Sequence, residues 1–196
     1  MNLEKCNTIF QKISINECSF GKGVFASQNI NKGEAILRFT GKVISLDEAL
    51  AKGEKQANVL QIDTTKYIDI EEPGVTVNHS CNPNAGIFKT TVLVALISIY
   101  KGEEIFYDYS TTMSENLWTM ECKCLSINCR KVIKDFHYLP PNVKKRYLDL
   151  GTVQDFIVGE HKQRTQILIA KIYPSLKIGL GVSNNYCDWE LAKNCE

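Results

Sequence analysis

The sequence predicts a mainly β protein with short helices, followed by a helical C-terminal extension. Three features carry this reading. Apolar stretches in the first two thirds are short, often alternate with polar residues, and are cut repeatedly by Gly-containing turns. No strand-length run is followed by a long helical pattern in the repeating order that builds a parallel sheet. Helical periodicity becomes prominent only beyond residue 130, where it persists to about 172.

Taken in order, residues 7–15 carry Ile9, Ile13 and Ile15, and residues 24–30 carry Val24, Phe25 and Ile30, as two short strand-like alternations. Between them lies Ser19-Phe20-Gly21-Lys22-Gly23, read as a tight turn whose two glycines allow the backbone to approach a ligand closely. Asn31-Lys32-Gly33-Glu34 is a second turn, and Ala35–Phe39 runs into a third at Thr40-Gly41-Lys42. Ser45 followed by Glu48 is a capping-box start for a helix ending near Lys52, with Gly53 as its stop. Residues 59–62 and 66–70 form a hairpin about Asp63-Thr64-Thr65, and Glu71-Glu72-Pro73-Gly74 breaks the chain.

The polar run Asn78-His79-Ser80-Cys81-Asn82-Pro83-Asn84 then stands between strand-like segments. It reads as a turn with donors, acceptors and one thiol to place. A buried strand is expected over 91–99, a turn at Lys101-Gly102, and an aromatic strand over Ile105-Phe106-Tyr107-Asp108-Tyr109. Helices are expected at 142–149, stopped by Gly151, and at 152–172. The three charges Lys144-Lys145-Arg146 read as a solvated helix face rather than a nucleic-acid patch.

Composition narrows the functional classes. The 196 residues are 44% hydrophobic and 23% charged, an ordinary globular balance. A net charge of +1 argues against binding nucleic acid through phosphate neutralisation, and no apolar run reaches membrane-spanning length. The first residues contain no apolar signal core, so a cytoplasmic location is expected. Eight cysteines in such a chain suggest metal ligands and free thiols rather than a disulfide framework. Cys122, Cys124 and Cys129 lie within eight residues, a spacing suited to zinc, which requires a fourth sulfur or imidazole from elsewhere.

These pieces, in this order, resemble a SET-domain protein-lysine methyltransferase with a post-SET zinc segment. The resemblance rests on Gly21-Lys22-Gly23, on Asn78-His79-Ser80-Cys81-Asn82-Pro83-Asn84, on Gly102-Glu103-Glu104-Ile105-Phe106-Tyr107-Asp108-Tyr109, and on Cys122-x-Cys124-x4-Cys129. It implies a pseudoknot of small β-sheets over residues 8–112, a zinc-binding post-SET segment over 113–134, and a C-terminal extension of open role over 135–196. It implies S-adenosyl-L-methionine held by Gly21, Lys22, Gly23, Asn78 and His79, with Tyr67 and Trp118 also counted as cofactor contacts. For His79 it implies backbone contacts, its side chain being structural. Tyr109 would sit by the transferring methyl, and Tyr107 would limit the product to monomethyl-lysine.

The same resemblance makes Cys81 the fourth zinc ligand beside Cys122, Cys124 and Cys129. Asp108 is expected to be structural and bonded to backbone; Cys6, Cys18, Cys187 and Cys195 are expected as buried thiols. The implied partner is a lysine-bearing protein, histone or other, with no direct nucleic-acid or membrane contact. Three departures stand out: Phe39-Thr40-Gly41-Lys42 lacks the phenol of a Tyr-x-Gly-Glu pattern, Val75-Thr76-Val77 precedes Asn78, and Arg130-Lys131 follows Cys129 where Arg-Gly is usual. The alternatives are an enzyme that uses the same donor on a small-molecule amine, a catalytically silent zinc-stabilised binding module, and a zinc-based nucleic-acid binder.

Overall fold

The computed structural model describes residues 12–172. The fold opens with an antiparallel hairpin of β1 (Ile13–Cys18) and β2 (Gly21–Ala26). The turn is confined to Ser19-Phe20, so the glycine pair lies at the start of a strand rather than in the predicted turn. Strand β3 (Ala35–Arg38) pairs with β9 (Val92–Ala95), which also pairs with β8 (Ala85–Phe88), giving a three-stranded sheet.

A second three-stranded sheet joins β4 (Gly41–Ser45), β6 (Lys66–Ile70) and β5 (Val59–Asp63). The expected turn at Thr40-Gly41-Lys42 is therefore corrected: Gly41 already pairs with Ile70 in β4. Its φ of 149° and the 1.8 Å that would separate a Cβ from the Asp69 carbonyl oxygen explain the glycine, which here permits close strand approach rather than a turn. The hairpin at 59–70 forms as expected.

Helix α1 (Leu46–Leu50) begins at the expected capping box. Ser45 Oγ accepts from the Glu48 amide at 3.2 Å, and Glu48 Oε2 accepts from the Ser45 amide at 2.9 Å. The long buried strand expected over 91–99 is shorter. Pairing ends at Ala95, and Ile97 is 56% exposed, because after Leu96 the chain leaves the sheet to form an isolated bridge between Ile99 and Ile30.

The main core lies between these small sheets and contains Val24, Ile36, Leu37, Phe39, Leu60, Leu93, Ile99, Ile105 and Tyr107. Beyond it, β11 (Met120–Glu121) pairs with β12 (Val132–Ile133) around the cysteine loop. Helix α2 (Pro141–Asp149) begins at a proline suited to the first helical turn, and α3 (Asp155–Ile172) starts three residues later than expected. A second core, with Phe136, Leu139, Tyr147, Val153 and Ile157, lies within the extension itself. Among the described residues no helix is long and apolar enough to cross a membrane. Cys6, Cys187 and Cys195 lie outside the described residues.

Candidate active site

Asn78 and His79, expected in a turn, instead form β7 (Asn78–His79), a two-residue strand that pairs in parallel with β10 (Phe106–Tyr107). The expected aromatic strand over 105–109 is confined to these two residues, and a single 3₁₀ turn over Tyr109–Thr112 follows. The pairing is fixed by side chains as well as backbone. Asn84 accepts from the Phe106 amide at 2.9 Å and donates to the Glu104 carbonyl at 2.8 Å. Two sequence signatures are thereby laid side by side, with Asn78 opposite Phe106 and His79 opposite Tyr107.

Asn78 also reaches the glycine pair. Its Nδ2 donates to the Lys22 carbonyl at 3.0 Å and to Glu104 Oε1 at 2.8 Å, which engages both amide protons and leaves Oδ1 as the acceptor the side chain can offer. Gly23 lies against this junction: a Cβ there would come 2.4 Å from Glu104 Oε1 and 3.1 Å from Asn78 Nδ2. Cys18, expected as a buried thiol, is half-buried and its sulfur lies 3.4 Å from the same Asn78 nitrogen. Gly21, Lys22, Gly23 and Asn78 thus form one group.

The tyrosines form another. Tyr107 and Tyr109 have ring centroids 4.7 Å apart; Phe39 contacts Tyr107 edge-on at 5.6 Å, and Trp118 lies 6.4 Å from Tyr109. Tyr109 donates its hydroxyl to the Val77 carbonyl at 2.9 Å, so its oxygen keeps lone pairs for an incoming donor. Burial drives both phenols well above their ordinary range, which keeps them protonated at neutral pH.

A cavity of about 60 Å³ runs beside these rings and is lined also by Gln61, Tyr67, Glu115 and Leu117. Tyr67 and Trp118 therefore stand with the tyrosines, whereas Gly21, Lys22, Gly23, Asn78 and His79 do not line this cavity. Burial pushes the Tyr67 phenol up to about 12, and nearby Glu115 and Asp135 add to the shift.

The third group is the cysteine cluster. Ligand atoms of His79, Cys81, Cys122 and Cys124 all lie within 4.8 Å of one another, a set of soft donors that could hold a metal ion. Cys81 and Cys122 sulfurs are 3.8 Å apart, and the Cys129 sulfur packs in the same cluster, 3.7 Å from the Cys122 carbonyl. Burial raises the Cys81 thiol to about 11. Burial also opposes ionisation of Cys124, but the Cys81 amide and Ser126 together hold its thiol down to about 6.

His79 sits between this cluster and Tyr109. Its Nδ1 accepts from the Tyr109 amide at 3.2 Å, and burial keeps the ring neutral by lowering its pKa to about 4 despite Asp108 nearby. A neutral imidazole carries one proton, so that proton resides on Nε2, which faces Cys81 Sγ at 3.4 Å. In this tautomer His79 donates toward a sulfur, and a metal at Nε2 would have to displace that proton.

Asp108 is bound chiefly by side chains rather than by backbone as expected. Its fully buried carboxylate accepts both arms of the Arg130 guanidinium at 2.7 and 2.8 Å, the Tyr147 hydroxyl at 2.8 Å and the Ser110 amide at 3.1 Å. Arg130 stood out in the sequence only as the residue after Cys129. Neither Tyr147 nor Glu115 carried a local signal, since each acquires its neighbours through tertiary folding.

Comparison with known proteins places these groups in context. Residues 21–110 match the family model described as SET domain. The chain is 30% identical over 127 residues to Histone-lysine N-methyltransferase trr of Drosophila melanogaster, covering 57% of this chain and 5% of that protein. It is 30% identical over 149 residues to Histone-lysine N-methyltransferase Su(var)3-9 of the same organism, covering 58% and 23%. To Histone-lysine N-methyltransferase mes-4 of Caenorhabditis elegans it is 31% identical over 149 residues, covering 60% and 16%. The matched stretch is thus less than a quarter of each of these relatives.

Proposed function

We propose, for a chain that carries a SET domain across residues 21–110, that it is an S-adenosyl-L-methionine-dependent methyltransferase acting on the ε-amine of a protein lysine, and that it stops mainly at the monomethyl state. The observation that carries the reading is the parallel pairing of β7 with β10. It brings the Asn78–Gly23 junction into the same small unit as the Tyr107–Tyr109 ring pair, so a donor and an amine can be held together.

The residues suit that cofactor. Asn78 Oδ1 is a natural acceptor for an ammonium group, and the absence of a Cβ at Gly23 leaves backbone close to whatever binds there. Gly21, Lys22, Gly23, Asn78 and His79 would hold the cofactor, His79 through its backbone. When bound, it supplies an electrophilic methyl on a cationic sulfur. The remaining chemistry belongs to the chain. Tyr109 offers a hydroxyl oxygen already oriented by Val77, and the faces of Tyr107, Tyr109 and Trp118 favour a cation.

The narrow cavity aligns the amine and excludes water; such alignment can lower a barrier by roughly 7–11 kcal/mol. A lysine must arrive deprotonated, and desolvation in the cavity lowers its pKa from about 10.4. Neither phenol can act as base at neutral pH, so the amine loses its proton to water on entry. Tyr67 and Trp118, assigned by resemblance to the cofactor, belong in this reading to the amine-binding cavity.

Cys81, Cys122, Cys124 and Cys129 would hold zinc, with His79 donating to Cys81 from outside the ligand set. The ion would tie the segment carrying Trp118 to β7 and so support the cavity wall. Histones, which the relatives' names carry, are one candidate substrate class for this chain.

The test is methyl transfer from labelled donor to histones, lysate proteins and a small-molecule extract in parallel, with bound metal quantified. Label in protein lysine that disappears with Tyr109→Phe supports the reading. Label only in small molecules would move the substrate to a free amine, and no transfer despite donor binding would make the protein a binding module.

A further inference from the structure

We propose that Tyr147, beyond the segment matched by the SET family, is a positioning residue for methyl transfer. It acts through Asp108 on the turn that carries Tyr109. The inference rests on the functional reading above and assigns a role to the C-terminal extension.

One wall of the cavity is built from residues 109–118, which contribute Tyr109, Thr112, Met113, Glu115, Leu117 and Trp118. Apart from one 3₁₀ turn over Tyr109–Thr112, this stretch has no regular structure before β11. Its conformation is fixed instead by the Ser114 amide bond to Gln61 Oε1 at 2.9 Å and by contacts to the extension. The Phe136 amide donates to the Met113 carbonyl at 3.0 Å, and the Gln154 amide donates to the Thr111 carbonyl at 3.2 Å. Gln154 Nε2 reaches back to the Thr90 carbonyl at 2.8 Å, while Ser114 Oγ bonds Glu160 on α3. Thr152 packs on Gly86 so closely that a Cβ there would lie 2.9 Å from it.

Tyr147 adds a fully buried contact to these. It is 1% exposed on α2, and its hydroxyl donates to Asp108 Oδ2 at 2.8 Å. Asp108 Oδ1 in turn accepts from the Ser110 amide, and the Asp108 carbonyl accepts from the Thr111 amide at 3.0 Å. Asp108 is therefore the N-cap of the turn that begins at Tyr109, and the orientation of its carboxylate sets the orientation of that turn. Without the Tyr147 hydroxyl, the carboxylate keeps Arg130 but loses the donor that comes from the extension. The ring of Tyr147 meanwhile belongs to the second core, so a phenylalanine preserves packing and removes only the hydroxyl.

The experiment compares Tyr147→Phe with Ile157→Val in the full chain. Ile157 is buried in the same core and makes no contact through a hydroxyl, so its variant loosens the core without touching Asp108. Expected is a fall in kcat of about tenfold for Tyr147→Phe, with KM for donor and for protein substrate within about twofold of wild type, while Ile157→Val keeps wild-type kcat. Equal kcat in both variants and wild type, or equal falls in both, overturns the proposal.

Hydrogen exchange gives a readout free of activity. Faster exchange at the Ser110 and Thr111 amides in Tyr147→Phe than in Ile157→Val supports positioning, and identical exchange refutes it. This second measurement separates the two ideas. If wild type transfers no methyl, the functional reading fails while the exchange comparison still decides whether Tyr147 orders the turn.

Discussion

Replacing Arg130 with alanine isolates the strongest electrostatic contact in the site. Asp108 has no exposed side-chain surface, and Arg130 keeps only 16% of its own. The two groups meet through paired bonds of 2.7 and 2.8 Å, and the guanidinium also reaches Ser110 Oγ at 3.2 Å. Removing one partner of a buried ion pair costs roughly 3–5 kcal/mol, because the other charge is left without compensation. Tyr147 and the Ser110 amide continue to solvate the carboxylate, which places the expected loss near 3 kcal/mol. Against a total stability of about 5–15 kcal/mol this is a large share, and in a domain of this size it lowers Tm by roughly 6–12 °C.

The assay is urea unfolding of metal-loaded protein, run as a cycle with Asp108→Asn. Once the carboxylate is neutral, Arg130→Ala should cost far less, giving a coupling of roughly 2 kcal/mol. Additive losses, or a single-variant cost below about 1 kcal/mol, would refute the claim that a buried charge organises this part of the fold.

Three further outcomes are expected. Tyr107→Phe should shift the product toward dimethyl-lysine on intact-peptide mass spectrometry. Losing the hydroxyl, and with it a place for one water, would free about 30 Å³, enough for one more methyl in a cavity of about 60 Å³; an unchanged monomethyl product would count against that cavity as the amine site. Glu115→Gln should raise Tm at pH 7, with the gain vanishing as pH falls below about 4.3. Burial, reinforced by Asp135, raises the folded-state pKa of Glu115, so the folded protein binds that proton more tightly and loses stability as pH rises through that value. A gain independent of pH would exclude this cause. Lys131→Gly should stabilise by about 0.5–1 kcal/mol in chemical denaturation, because Lys131 holds φ at 64°, a left-handed conformation costly for a residue with a Cβ; a loss would show that its side chain contributes more than the strain costs.

Much of the local structure is readable in the sequence because its causes are local. The Ser45–Glu48 capping box, the 59–70 hairpin and Gly151, with φ at 64° just past α2, each depend on neighbours a few residues away. The readings that failed depend on distant partners. Gly41 resembles a turn glycine until β6 is laid against it, and Leu96-Ile97 continues an apolar run that the sheet does not extend. The two-residue pairing of β7 with β10 is too short for any periodicity to signal, so a polar stretch that favours turns emerges as a strand. In the site, Cys81, Cys122 and Cys124 lie together with His79, which stands where the resemblance implied Cys129. The partners of Asp108, 22 and 39 residues away, had no signature because a buried arginine and a tyrosine look like any others until something acidic is placed beside them.

This difference bears on how the chain should be divided. By sequence the extension begins where the signatures end, and could be a separate appendage. Its buried contacts argue otherwise. A freely detachable helix pair would meet the domain through a polar, replaceable surface, whereas Tyr147 enters a fully buried carboxylate site and Gln154 satisfies backbone groups on both Thr90 and Thr111. Withdrawing α2 would leave the Asp108 carboxylate one donor short, and withdrawing the Gln154 segment would release a carbonyl of the turn that carries Tyr109. Both changes fall on the same few residues beside the cavity. The folding unit therefore extends at least through Ile157, well past residues 21–110, which match the SET domain model.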